Sequence, residues 1–348
     1  MKLIERVYAV YLLIPFIKKP SFLLSILFLN NVKLLGYKIH VTDYPTMINL
    51  LLVTRFSLKF TRTKDGLDVS FDNENHFTIS KNLNNLDHAL LLLLSQGVKD
   101  GAYFLDNNHE IGQYNKTIKI NQNTNIVETF DGVRYHLEHV GAMPEIYIRR
   151  IHDFYSNDLQ GKIVVDLGAS VGDTPLYFAS RGATVYAVEM TKTNHDTMLK
   201  NLDLNPHLKD KVIPIHAAYG KDELIEYYQD SLNRITNRGG ASFMKNKYGK
   251  YGKKNTVQGM SLATLRKKHS LDSIVLLKID CKGGEFFLKE EELKGIKKVK
   301  IEYYSLVPEH KVSELMQTLK DFKTIIFKHT PDDTSSLKKH GNFLGIKK

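Results

Sequence analysis

The stretch IVVDLGASVGDTPLYFASRG, Ile163–Gly182, decides how this chain folds. An apolar strand runs into Asp166, a turn carries Gly168 and Gly172, and a helix is expected to start near Thr174-Pro175 and stop at Gly182. Pro175 suits the first helical position, Asp173 or Thr174 suits the cap, and glycine suits the residue that ends a helix. Bare backbone at Gly168 and Gly172 lets a ligand lie close, and the free amides of a helix start can receive a carboxylate.

The identity of that ligand turns on position 173. The dinucleotide pattern G-x-G-x-x-G requires glycines at 168, 170 and 173; the chain has Gly168, Ser170 and Asp173. A carboxylate at 173 would face a pyrophosphate with like charge. S-adenosylmethionine carries no phosphate and has a positive sulfonium, so acids are tolerated beside it, and the pattern favours it over NAD. VYAVE then ends at Glu189, roughly 20 residues on, where an acid at a strand end binds ribose hydroxyls. IVLLKIDCKGGEFFL, Ile274–Leu288, runs a buried strand into Asp280, then a Gly283-Gly284 turn and Glu285. Carboxyl ends of central strands form the ligand crevice of an open sheet, which places Asp280 beside the Asp166 turn. The competing reading of Asp280 is a helix cap.

From Gly161 onward, short apolar strands alternate with helical stretches, the mark of a parallel sheet with crossover helices. Strands are expected at Ile163–Leu167, Thr184–Glu189, Val212–His216, Ile274–Asp280, Val299–Tyr304, Thr324–Lys328 and Asn342–Lys347. Only a short polar loop separates the last two, so they should form an antiparallel hairpin. The expected class is α/β: a Rossmann-like, seven-stranded, mostly parallel sheet over 143–348. Before it, 37–142 reads as α+β. Leu67–Phe71 and His76–Ser80 flank a turn, Ile126–Phe130 and Val133–Leu137 flank Asp131-Gly132, Asp87–Gln96 reads as an apolar helix, and Glu145–Tyr155 looks helical. Residues 1–36 hold two apolar runs, Val7–Ile17 and Phe22–Leu29, each too short to span a bilayer. They read as packed helices, with peripheral membrane contact through 7–29 or a transmembrane anchor as the alternatives.

The 348 residues carry one cysteine, Cys281, which excludes a disulfide framework or a cysteine metal cluster and suits a reducing cytoplasm. A formal net charge of +11 suits anionic partners. Much of it falls in Arg234–Lys254, where seven cations and no acid are interleaved with Phe243, Tyr248 and Tyr251. That insert reads either as a solvated loop or as a clamp for a phosphate-bearing acceptor.

Taken together, VVDLGASVGDT at 164–174, VYAVE at 185–189, LLKIDCKGGE at 276–285 and KIEYY at 300–304 resemble the FkbM family of methyltransferases. His216-Ala217-Ala218-Tyr219-Gly220 also looks like that family's segment after the third strand. The resemblance covers about 161–348 and implies S-adenosylmethionine as cofactor. It implies Asp166, Gly168, Ser170, Gly172, Asp173, Thr174, Glu189 and Ala217 around it. The chain departs from the family at Lys282, where glutamate is usual, at Ala263, where aspartate is common, and after Glu302, where tyrosine replaces histidine. These departures lie on the acceptor side.

The resemblance implies O-methylation of a sugar, glycolipid or other small molecule. Methyl transfer is an in-line displacement that depends on positioning, and a hydroxyl acceptor gains from a base. Asp280, Glu285 and Glu302 are the candidate catalytic residues, with helix-dipole or surface-pair roles as the alternatives for the two glutamates. Two other readings compete: an RNA methyltransferase using the basic insert and the N-terminal half, although no ribonucleoprotein motif is present, and a module that binds the cofactor without catalysis or a membrane-associated scaffold.

Overall fold

The computed structural model describes residues 31–34, 37–40, 59–64, 66–70, 76–80, 118–121, 123–139, 143–148, 151–153, 159–230, 241–242, 252–304, 312–327 and 340–348. The expected helices at 7–17, 22–29 and 87–96 lie outside these residues. So do the turn expected between Phe71 and His76 and most of the basic insert. No helix among the described residues is long and apolar enough to cross a membrane. The chain divides into two compact units, Met1–Arg150 and Ile151–Lys348.

Three small antiparallel sheets make up the described part of the first unit. They are β1 (Asn31–Leu34) with β2 (Tyr37–His40), β3 (Lys59–Arg62) with β4 (Gly66–Ser70) and β5 (His76–Ser80), and β6 (Lys119–Asn121) with β7 (Ile126–Glu128) and β8 (Arg134–His136). The Asp-Gly hairpin forms where the turn signal placed it. Glu128 pairs with Arg134, Gly132 takes φ +78, and the Thr129 amide donates to Val133 O at 2.8 Å. Of the helix expected over Glu145–Tyr155, residues 149–150 and 154–155 lie outside the described residues, and the described part departs from a regular α-helix. Pro144–Ile148 makes one wide π-helical turn. Ile146, Tyr147 and Ile148 are β-branched or aromatic and lose side-chain freedom in a helix. Tyr147 is instead held by burial and by a 2.8 Å hydroxyl contact with Tyr135.

The second unit is a seven-stranded sheet in the order β11-β10-β9-β16-β17-β19-β18. Its strands are β9 (Ile163–Leu167), β10 (Thr184–Glu189), β11 (Val212–His216), β16 (Ile274–Ile279), β17 (Ile296–Tyr304), β18 (Phe322–Phe327) and β19 (His340–Lys347). β9, β10, β11, β16 and β17 run parallel; β19 pairs antiparallel with both β17 and β18, as the short polar loop required. Central strands are buried nearly throughout, the pattern of a parallel sheet covered on both faces. Val165, Leu167, Leu277, Ile279, Val299, Ile301 and Phe343 belong to one core cluster. Helices α1 (Asp173–Ser180), α2 (Lys192–Asp203), α3 (Leu262–His269) and α4 (Val312–Thr318) complete the unit. Gly182, at φ +88, sits just past α1, and its amide reaches Ala179 O at 2.9 Å.

A second sheet was not expected. β12 (Ala218–Tyr219), β13 (Leu224–Asp230), β14 (Ala241–Ser242) and β15 (Gly252–Met260) join in the order β12-β15-β13-β14. β13 and β15 form a long antiparallel ladder from Leu224↔Gln258 to Asp230↔Gly252. Lys253 and Lys254, read as part of a loop or clamp, are therefore strand residues. Lys254 pairs with Glu226 across the ladder, so the acid missing from the insert's own sequence comes from the neighbouring strand. Ile225, Tyr227 and Val257 turn inward into a small core with Ala218 and Met190.

Candidate functional site

Strand order reverses at β9, with β10 on one side and β16 on the other. Ligands of open α/β sheets bind outside the carboxyl ends at that switch point. The loop after β9 is fixed there by space and by backbone conformation. Gly168 takes φ +84, and a Cβ on it would stand 2.1 Å from Asp280 O. Asp280 N–H donates to Leu167 O at 2.9 Å, so the β9 and β16 ends are locked side by side, as expected. Ser170 holds φ +50 without being glycine. Gly172, at φ +85, packs so closely that a Cβ would meet Met198 Cγ at 2.8 Å. Asn201 Nδ2 donates to Val171 O at 2.9 Å and secures the loop from behind.

The helix cap differs from expectation. Gly172 occupies it, with no side-chain bond, and Asp173 is the first helical residue. Asp173 Oδ1 accepts from the Thr174 amide at 2.9 Å. Pro175 comes third rather than first, a position whose missing N–H is still among the unpaired groups of a helix start. Burial pushes the Asp173 carboxyl up to about 6, against the Thr174 bond and the charge of Lys278.

Glu189 ends β10 with 6% exposure. Its Oε2 accepts from Ser170 N–H at 2.9 Å. Its Oε1 accepts from the Thr191 amide at 2.9 Å and the Thr191 hydroxyl at 2.8 Å. Burial raises its pKa, opposed by those bonds. The expected ribose acid therefore also braces the glycine loop. Ala217 is buried beside it and donates its amide to Glu189 O at 3.1 Å.

Asp166 has no exposed surface. Its Oδ2 accepts from the Thr174 hydroxyl at 2.5 Å and its Oδ1 from Lys278 Nζ at 2.7 Å. Expected to meet the cofactor, it lies under the loop and holds it. Burial alone would lower the Lys278 pKa; Asp166, Asp280 and Asp173 around it reverse that and raise it.

The three expected catalytic carboxylates differ in access. Glu285 is wholly enclosed: Oε2 accepts from Gly283 N–H at 2.8 Å and Oε1 from Tyr304 N–H at 2.6 Å, and burial pushes its carboxyl up to about 7. It ties the turn after β16 to the end of β17. Glu302 is 8% exposed; its Oε1 accepts from the Tyr304 hydroxyl at 2.6 Å, and its Oε2 lies 3.5 Å from Lys300 Nζ. Asp280 is the open one, with its side chain 27% exposed and Oδ1 held by Lys282 Nζ at 2.9 Å. It does not cap a helix, since the following turn (Gly284–Phe287) is headed by Gly283.

Lys282 takes φ +51 and lies 4.2 Å over the Tyr304 ring. Burial works to lower its pKa, but Asp280, Tyr304 and Glu302 outweigh it and hold the ammonium charged. Lys278, Lys300, Thr191 and Asn201 were not among the residues expected at this site, whereas the tyrosine position after Glu302 was. The signal for the two lysines was present, because a cation inside an apolar strand run is buried only when paired.

Residues 166–326 match the family model described as Methyltransferase FkbM domain. Among solved structures, similar ones include an rRNA methylase from Streptococcus thermophilus, at 13% identity and TM-score 0.36, covering 58% of this chain and 95% of that one. The METTL16 methyltransferase domain matches at 10% identity and TM-score 0.39, covering 87% and 91%. A precorrin-6y C5,15-methyltransferase from Geobacter metallireducens matches at 10% identity and TM-score 0.34, covering 58% and 88%. Comparison with curated proteins finds no match.

Proposed function

From the FkbM methyltransferase domain over 166–326, we propose that this chain binds S-adenosylmethionine in the crevice of β9, β10 and β16. It transfers the methyl group to a hydroxyl on a sugar, glycolipid or other small molecule. One observation carries the reading: the glycine loop, Glu189 and Asp280 meet, with Gly168 against Asp280 O and Ser170 N–H on Glu189.

The residues present fit the cofactor. The loop offers bare backbone at Gly168 and Gly172, and Glu189 supplies a buried carboxylate for ribose hydroxyls. Asp166–Lys278 and Asp280–Lys282 are neutral as pairs. Ionised Asp173 therefore leaves the crevice net negative, which suits a sulfonium. Bound there, S-adenosylmethionine supplies an electrophilic methyl carbon. Asp280, 27% exposed and held through Oδ1 by Lys282, would orient the acceptor O–H and take up its proton as the methyl group passes to that oxygen. Asp166, Lys278 and Glu285 keep the loops in place.

The test is titration calorimetry with S-adenosylhomocysteine, followed by transfer of labelled methyl from the cofactor to fractionated cell extract. Asp280→Asn should keep cofactor affinity and lower transfer by roughly 100-fold, the scale of general-base catalysis. Unchanged turnover in that variant removes Asp280 from the reaction. Label appearing in RNA alone overturns the acceptor class.

A further inference from the structure

Asn342 lies in β19 with no exposed surface, and among the described residues neither amide atom has a hydrogen-bond partner. Leaving a buried polar group unpaired is destabilising, so its presence calls for a cause. Register shows which way it faces. Asn342 stands directly opposite Glu302, so the two side chains share a face of the sheet. Lys300 pairs with Lys278, and Glu302 and Asp280 each follow two residues later, on that same face. Asp280, Glu302 and Asn342 thus form one row across β16, β17 and β19, at the end where the crevice opens. The row covers two strand spacings, roughly 10 Å. Its Asp280 end is open and its Asn342 end is enclosed.

We infer that Asn342 binds the far side of the acceptor, and that the acceptor is a polyhydroxyl molecule of about one sugar ring. The inference rests on the cofactor reading of the crevice given above. A reacting hydroxyl at Asp280 leaves the rest of the molecule to run along Glu302 and Tyr304 toward β19. An amide presents both donors and an acceptor, which answers adjacent hydroxyls or an acetamido group; a small acceptor with one hydroxyl would leave it unpaired. A sugar reaching Asn342 supplies the partners that the described residues do not.

Saturation-transfer NMR on the full chain loaded with S-adenosylhomocysteine provides the test, with methyl glycosides of glucose, glucuronic acid and N-acetylglucosamine as probes. At least one should bind the wild type in the millimolar range. Asn342→Leu, similar in size and without a polar group, should lose binding at least tenfold, keep its affinity for S-adenosylhomocysteine, and melt no lower than the wild type. Asn342→Ala should lose the sugar in the same way if leucine does not fit. Sugar binding unchanged in both variants overturns the inference, and so does a lower melting temperature with cofactor affinity lost. A wild type that binds S-adenosylhomocysteine but none of the glycosides overturns this inference alone. One that does not bind S-adenosylhomocysteine overturns the cofactor reading beneath it.

Discussion

At Gly168 two demands coincide, a backbone at φ +84 and a carbonyl oxygen 2.1 Å from where a side chain would begin. The conformation costs an L-residue about 1–2 kcal/mol, and the Asp280 backbone has no room to retreat. Gly168→Ala should therefore lower the melting temperature and abolish calorimetric binding of S-adenosylhomocysteine. Asp173 makes stability depend on pH. Its carboxyl is raised from 3.8 to about 6, so between those values the folded chain holds a proton that the unfolded chain has lost. Stability from this group falls as pH rises through that window. Above it the buried charge costs roughly 3 kcal/mol. Asp173→Asn should be more stable than the wild type at pH 8 by up to that amount, and equal near pH 4, in denaturant titrations at the two pH values. Lys278→Met strands Asp166 without its partner and should cost about 3–5 kcal/mol; adding Asp166→Asn should recover part of that.

The apolar strands of the main sheet were legible because a parallel strand covered on both faces must be apolar along its length. β13 and β15 were not. Leu224–Asp230 and Gly252–Met260 carry Glu226, Tyr228, Lys254 and Gln258, and a two-faced ladder dilutes its apolar signal by half. Asp230 pairs directly with Gly252, so an Asn-Gly turn can close the ladder in place of residues 231–251. This replacement should leave S-adenosylhomocysteine affinity unchanged, since Tyr227 and Val257 still anchor the strands. If the basic segment grips an anionic acceptor, the same variant should lose the salt dependence of methyl transfer.

The second unit owns its core and its whole candidate site, from Asp166 to Asn342. Residues 151–348 expressed alone should fold cooperatively and bind S-adenosylhomocysteine as the full chain does, by calorimetry and thermal melting. The order of elements and the glycine turn could be read from the chain alone, because apolar runs, positive-φ residues and helix ends are local properties. The same holds for Glu189 and Asp280 at strand ends. What each carboxylate does there could not be read, because strand order supplies the partners from far along the chain. Lys278 reaches Asp166 across 112 positions, and β17 closes over Glu285. β19 returns antiparallel to set Asn342 beside Glu302. The sequence by itself determined a crevice lined with acids. Only the tertiary structure decided which acids are braces, which one is open, and which buried amide has no partner among the described residues.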